Sequence, residues 1–124
     1  MRRRKLSPRE KRAAFLHDII VEAEEIAEFI RQLNLATFVE DKLTRKAVTK
    51  NLESIGEATK NLPASLKARH PEIRWDRIAG FRDIAAHHYW EVDYAIVWDA
   101  AKNHLPAVVT VARDELARIA TDLL

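Results

Sequence analysis

The sequence predicts an all-α fold, an up-down bundle of four main helices and a short connector helix, on three observations. Only two glycines and four prolines are spread over 124 residues. That is little turn material, and strands need frequent turns where long helices need few. Apolar residues recur at three- and four-residue spacing over long stretches, with charged residues filling the positions between. The links joining those stretches are short, which places successive helices side by side. A chain of this length has room for one domain, residues 1–124, and buries roughly two-thirds of its unfolded surface.

Ser7-Pro8-Arg9-Glu10 reads as a helix start, with Ser as N-cap, Pro at the first helical position and Glu closing a capping box. Leu16, Ile19, Ile20, Ala23, Ile26, Ala27, Ile30 and Leu33 then mark one face of a helix over about 8–33. Thr37-Phe-Val-Glu40 offers a second capping box. The stripe that follows is Leu43, Ala47, Val48, Leu52, Ile55, Ala58 and Leu62. Gly56 lies inside it and costs up to about 1 kcal/mol relative to alanine, so a close helix–helix approach or a functional clearance is expected there. Pro63 and Pro71 bracket a connector with a short helical turn around Ala64–Arg69. A third helix is expected from Trp75 to about His87. Asp93 then caps a fourth, whose stripe runs from Val97 to Leu123 and is kinked at Pro106.

The composition excludes several chemistries. Without cysteine there is no disulfide, thiolate metal site or cysteine nucleophile. No apolar run approaches the ~20 residues of a membrane span, and the basic start leads into no apolar signal segment, so a cytoplasmic protein is expected. The net charge of +2 is uneven: residues 1–12 carry seven positive charges against Glu10, and the rest is mildly acidic. The arm, residues 1–7 before the first helix, either touches a nucleic-acid backbone or serves as a solvated terminus.

One stretch gathers reactive side chains, Gly80-Phe-Arg-Asp-Ile-Ala-Ala-His-His-Tyr-Trp90. On a continuous helix Asp83 and His87, four apart, share a face, and the carboxylate then fixes the imidazole tautomer. No serine accompanies them, which disfavours acyl transfer. Arg82 with an oriented His87 suffices instead to cut RNA without metal or other cofactor. The imidazole takes the proton of a ribose 2′-hydroxyl, and the guanidinium neutralises charge on the phosphorus oxygens. A single histidine makes a poor acid–base pair, so two subunits meeting at a two-fold axis are expected to share the site in a homodimer. The plainer reading is a capping and ion-pair network at a helix end. His87-His88 is no metal pair, because neighbours on a helix point apart and no H-x-x-x-H accompanies them. His17, His70 and His104 read as surface or half-buried residues, and Trp75, Trp90 and Trp98 as packing anchors.

The residues Arg82-Asp-Ile-Ala-Ala-His87-His-Tyr89 resemble the R-x-x-x-x-H-x-Y signature of HepT, the HEPN-fold toxin. Asn51-Leu-Glu-Ser-Ile-Gly-Glu-Ala58 resembles that family's N-L-x-x-I-G-E-A segment. Ile73-Arg-Trp75 with Ile78-Ala-Gly80, Val92-Asp93 with Ile96-Val-Trp98, and Leu105-Pro106 resemble its further motifs in the same order. The resemblance implies an endoribonuclease toxin with Arg82 and His87 as catalytic residues and Asp83 orienting. It also implies a minimal nucleotidyltransferase antitoxin as partner, which attaches AMP to Tyr89. Glu57 and His88 are expected in or near the cleft, with a structural ion pair as the other role for Glu57. Asp83 stands where the family often has Asn, and its negative charge near RNA is expected to slow cleavage or alter substrate choice. The alternative is a non-catalytic helical module that docks the nucleotidyltransferase.

Overall fold

The computed structural model describes residues 5–84 and 92–122. Every regular element among them is helical: α1 (Pro8–Ile30), α2 (Leu35–Glu40), α3 (Lys42–Lys60), α4 (Ala64–Ala68), α5 (Trp75–Gly80), a 3₁₀ turn (Phe81–Asp83), α6 (Tyr94–Asp99), a π segment (Ala100–His104) and α7 (Leu105–Asp122). The all-α reading holds. Helix α1 lies in the centre, packed against α3 and α7, while α3 also carries α5 and the 3₁₀ turn. Much of the core comes from the expected stripes, with Leu16, Ile19 and Ile26 of α1 against α3 (Val48, Leu52, Ile55) and α7 (Val108, Ala112, Ile119), while Ala27 of the α1 stripe is exposed. No helix among the described residues is long and apolar enough to cross a membrane.

The first capping box forms as read. The Glu10 N–H donates to Ser7 Oγ at 3.1 Å, and the Ser7 N–H donates to Glu10 Oε1 at 3.0 Å. The second start is corrected. Asn34, not Thr37, is the N-cap: Thr37 N–H donates to Asn34 Oδ1, and Asn34 N–H donates to Thr37 Oγ1, both at 2.9 Å. The resulting helix is only α2. Asp41 ends it and caps α3 by accepting the Thr44 N–H at 3.0 Å, and those bonds hold its carboxyl below the usual range. This break turns the expected stripe. Leu43 is 82% exposed and Phe38 takes the core position instead.

Two further boundaries differ. The third helix does not continue as an α-helix; it stops at Gly80 and tightens into the 3₁₀ turn. Just upstream of Pro106, where the kink is expected, the helix widens into the π turn, with the Leu105 N–H donating five residues back to Ala100 O. Pro106 has no N–H for the carbonyl of Lys102, and its ring crowds that carbonyl, so a wider turn before it relieves both problems. Trp75 and Trp98 anchor packing as expected. Trp75 Nε1 donates to the carbonyls of Lys67 and His70 at 3.0 and 2.9 Å. Trp98 packs on Phe38 with ring centroids 5.2 Å apart. Tyr94 meets the edge of Phe38, and the Arg45 guanidinium stacks 4.7 Å above its ring. Trp90 lies outside the described residues.

Candidate functional site

The site is built where α3 meets the end of α5. Ile78 and Phe81 are buried, 2% and 7% exposed, and fix the strand of backbone between them to the core. Arg82 follows on the 3₁₀ turn with its side chain 38% exposed. Its guanidinium stands between two carboxylates: Nη1 is 3.6 Å from Glu57 Oε2 on α3, and Nε is 3.6 Å from Asp83 Oδ2. Both pairs are long and the carboxylates are more than half exposed, so each contributes at most about 1 kcal/mol. A phosphate oxygen can therefore take the guanidinium N–H groups that these pairs leave over, in short charge-assisted bonds. Glu57 is thus an ion-pair partner of Arg82 in this structure.

Of the residues named from sequence, Arg82, Asp83 and Glu57 are brought together. His87, His88 and Tyr89 lie outside the described residues. The idea that Asp83 stacks with His87 on a continuous helix rests on residues beyond Ile84, and within the described part Asp83 faces its neighbour Arg82 on a 3₁₀ turn. Asn51, the first residue of the segment resembling N-L-x-x-I-G-E-A, ties helices together: its Nδ2 donates to Glu22 O at 3.3 Å and to Glu25 Oε1 at 2.9 Å.

A second charged cluster was not read from the sequence. Glu115, 2% exposed, accepts from Arg69 Nη2 at 2.6 Å and Nε at 3.2 Å, with His70 Nε2 also 2.6 Å from Oε2 and Arg118 Nε 3.8 Å from Oε1. The Arg69 hydrogen bonds are the main force holding its carboxyl down at about 2, against the opposing effect of burial, with His70 assisting. The same bonds push the Arg69 guanidinium further up. The signal was present, since Glu115 occupies a stripe position between Ala112 and Ile119, where a carboxylate needs a buried partner. The cluster fastens the end of α4 to α7, and Trp75 then leads from that point into α5 and Arg82. His70 and His104 are half-buried and His17 exposed, as read. His70 and His104 are not isolated, because His104 Nε2 also lies 3.0 Å from Asp99 Oδ2.

Comparison with known proteins gives the family. The profile of the family described as "Ribonuclease HepT-like" matches residues 19–114. A Methanocaldococcus jannaschii protein named as a candidate RNase is 39% identical over 99 residues, covering 80% of this chain and 82% of its own. A second from the same organism, named likewise, is 34% identical over 116 residues, covering 94% and 97%. A Thermococcus cleftensis protein named as a probable ribonuclease HepT is 42% identical over 94 residues, covering 76% and 86%. No solved structure matches the chain significantly. The matched span contains Glu57, Arg82, His87 and Tyr89 together, and the chain belongs to the HepT-like ribonuclease family.

Proposed function

We propose that this protein is a metal-independent endoribonuclease that works as a homodimer and is the toxin of a toxin–antitoxin pair. The observation that supports this best is the guanidinium of Arg82, anchored through buried Ile78 and Phe81 yet half-exposed and only loosely held by Glu57 and Asp83. In the proposed reaction the His87 imidazole removes the proton from a ribose 2′-hydroxyl, and the 2′-oxygen attacks the adjacent phosphorus. The bond from phosphorus to the 5′-oxygen breaks, and that oxygen takes a proton from the imidazolium of the second subunit. The products are a 2′,3′-cyclic phosphate and a 5′-hydroxyl. Arg82 neutralises the charge that grows on the non-bridging oxygens, and Asp83 orients the imidazole.

No step needs a metal ion, so cleavage of a single-stranded RNA is expected to proceed at an unchanged rate in EDTA. Activity that disappears with EDTA and returns with Mg²⁺ contradicts the mechanism.

Neutralisation follows from the same site. A minimal nucleotidyltransferase antitoxin, by this reading, activates the Tyr89 phenol, whose oxygen attacks the α-phosphorus of ATP and expels pyrophosphate. The tyrosyl phosphate then pairs with Arg82, and the adenosine blocks entry of RNA. Tyr89→Phe is expected to cut RNA at close to the wild-type rate and to escape the antitoxin. Intact mass measured after co-expression shows added AMP on the wild type and none on the variant. Tyr94 is the competing acceptor, and AMP mapped to it overturns the assignment. Its ring is already covered by Arg45 and Phe38.

A further inference from the structure

We infer that Gly56 and Glu57, successive residues of α3, form a seat that positions Arg82 for the reaction, an inference that rests on Arg82 being catalytic. A methyl group on Gly56 would stand 2.4 Å from the backbone nitrogen of Arg82, 3.0 Å from Ala79 O and 3.1 Å from Ile78 O. All three are backbone atoms, so no side chain can swing aside to make room. Gly56 is buried, and the residues on either side of the contact are too: Ile55 and Ala58 on α3, Ile78 and Phe81 on the partner segment. Ile78 and Phe81 hold this segment to the core, so an added methyl displaces the backbone nitrogen of Arg82 only at a cost to that packing.

The lack of a side chain at Gly56 thus sets how near the Arg82 backbone lies to α3. One residue further, the α3 backbone delivers the Glu57 carboxylate to within 3.6 Å of Arg82 Nη1. The backbone contact fixes where the arginine starts and the ion pair restrains where its guanidinium points. Gly80, which lies close by in sequence, has open space where its Cβ would stand, so the requirement for glycine is specific to position 56. A helical glycine at an unconstrained site gains up to about 1 kcal/mol on replacement by alanine; here the same change opens the seat. Restoring an ordinary contact distance requires the turn to retreat by about 1 Å, and misplacement on that scale lowers a rate by about a hundredfold.

The test compares Gly56→Ala, Glu57→Gln and Arg82→Ala on a fluorescent single-stranded RNA of mixed sequence, with thermal unfolding of each protein measured alongside. Gly56→Ala is expected to lose about a hundredfold in kcat with KM within about twofold. A glycine with a merely structural role would lower the melting temperature and leave the kcat of the folded fraction unchanged, and that result overturns the inference. Should Gly56→Ala fail to fold, Glu57→Gln decides. Its carboxylate is 58% exposed, so folding is unaffected. A fall of about threefold in kcat, without a rise in KM, supports the seat, and an unchanged kcat overturns it. If Arg82→Ala cleaves as well as the wild type, the failure lies with the catalytic assignment of Arg82 itself.

Discussion

Replacing Arg82 or His87 with alanine is expected to lower RNA cleavage by about a thousandfold, the largest effect on activity of any substitution in the chain. Loss of a positioned acid–base group costs about 10²–10⁴ in rate, and loss of a donor to a developing oxyanion costs about 10²–10³. The Arg82 side chain is already 38% exposed and held only by long ion pairs, so its removal leaves the core unaltered. The variant should melt within a few degrees of the wild type. Single-turnover cleavage together with thermal unfolding measures both. Full activity in either variant sinks the proposed mechanism. The two inactive variants also test assembly. When the base is His87 of one subunit and the acid is His87 of the other, mixing Arg82→Ala with His87→Ala leaves one imidazole per mixed dimer and is expected to restore no activity. Wild type mixed with excess His87→Ala is expected to lose activity; a wild-type rate per wild-type subunit in that mixture speaks against a shared site.

The largest effect on stability is expected at Glu115. Glu115→Gln removes a carboxylate that is 2% exposed and bonded to both Arg69 and His70. Breaking a buried pair by removing one partner costs about 3–5 kcal/mol. The lower end applies here, because the Arg69 side chain is 37% exposed and can turn to water. A loss of about 3 kcal/mol corresponds to a fall of roughly 10 °C in Tm for a chain of this size. The pH dependence gives an independent check. The folded carboxyl titrates at about 2, against an ordinary value of 4.5. Its contribution is therefore fully present above pH 4.5 and is lost as the pH falls from there toward 2, about 3 kcal/mol in all. Wild type is expected to lose stability across that window, and Glu115→Gln to lose correspondingly less. Equal acid sensitivity of the two proteins, followed by urea unfolding at a series of pH values, contradicts this account of the cluster.

The local features of this protein were legible in its sequence because their causes lie within a few residues of one another. The Ser7–Glu10 capping box, the α1 stripe and the Asp93 cap depend on groups at most a turn or so apart, and they form as read except that α1 ends at Ile30 and leaves Ala27 exposed. The motif of Arg82, His87 and Tyr89 was legible for another reason, an ordered set of residues resembling those of a known family. Where two local solutions competed, the sequence pattern pointed to Thr37 as the cap and Leu43 as core; the break between helices at Asp41 goes with Asn34 and Phe38 in those places instead. Gly56 could be read as a point of close approach, but not what approaches it, since Arg82 lies 26 residues further along. Glu115 and Arg69 are 46 residues apart, and nothing in either neighbourhood names the other. Such partners are set by how α3 and α7 pack on α1 and α5 packs on α3, because only burial makes a methyl-sized gap or a single carboxylate decisive.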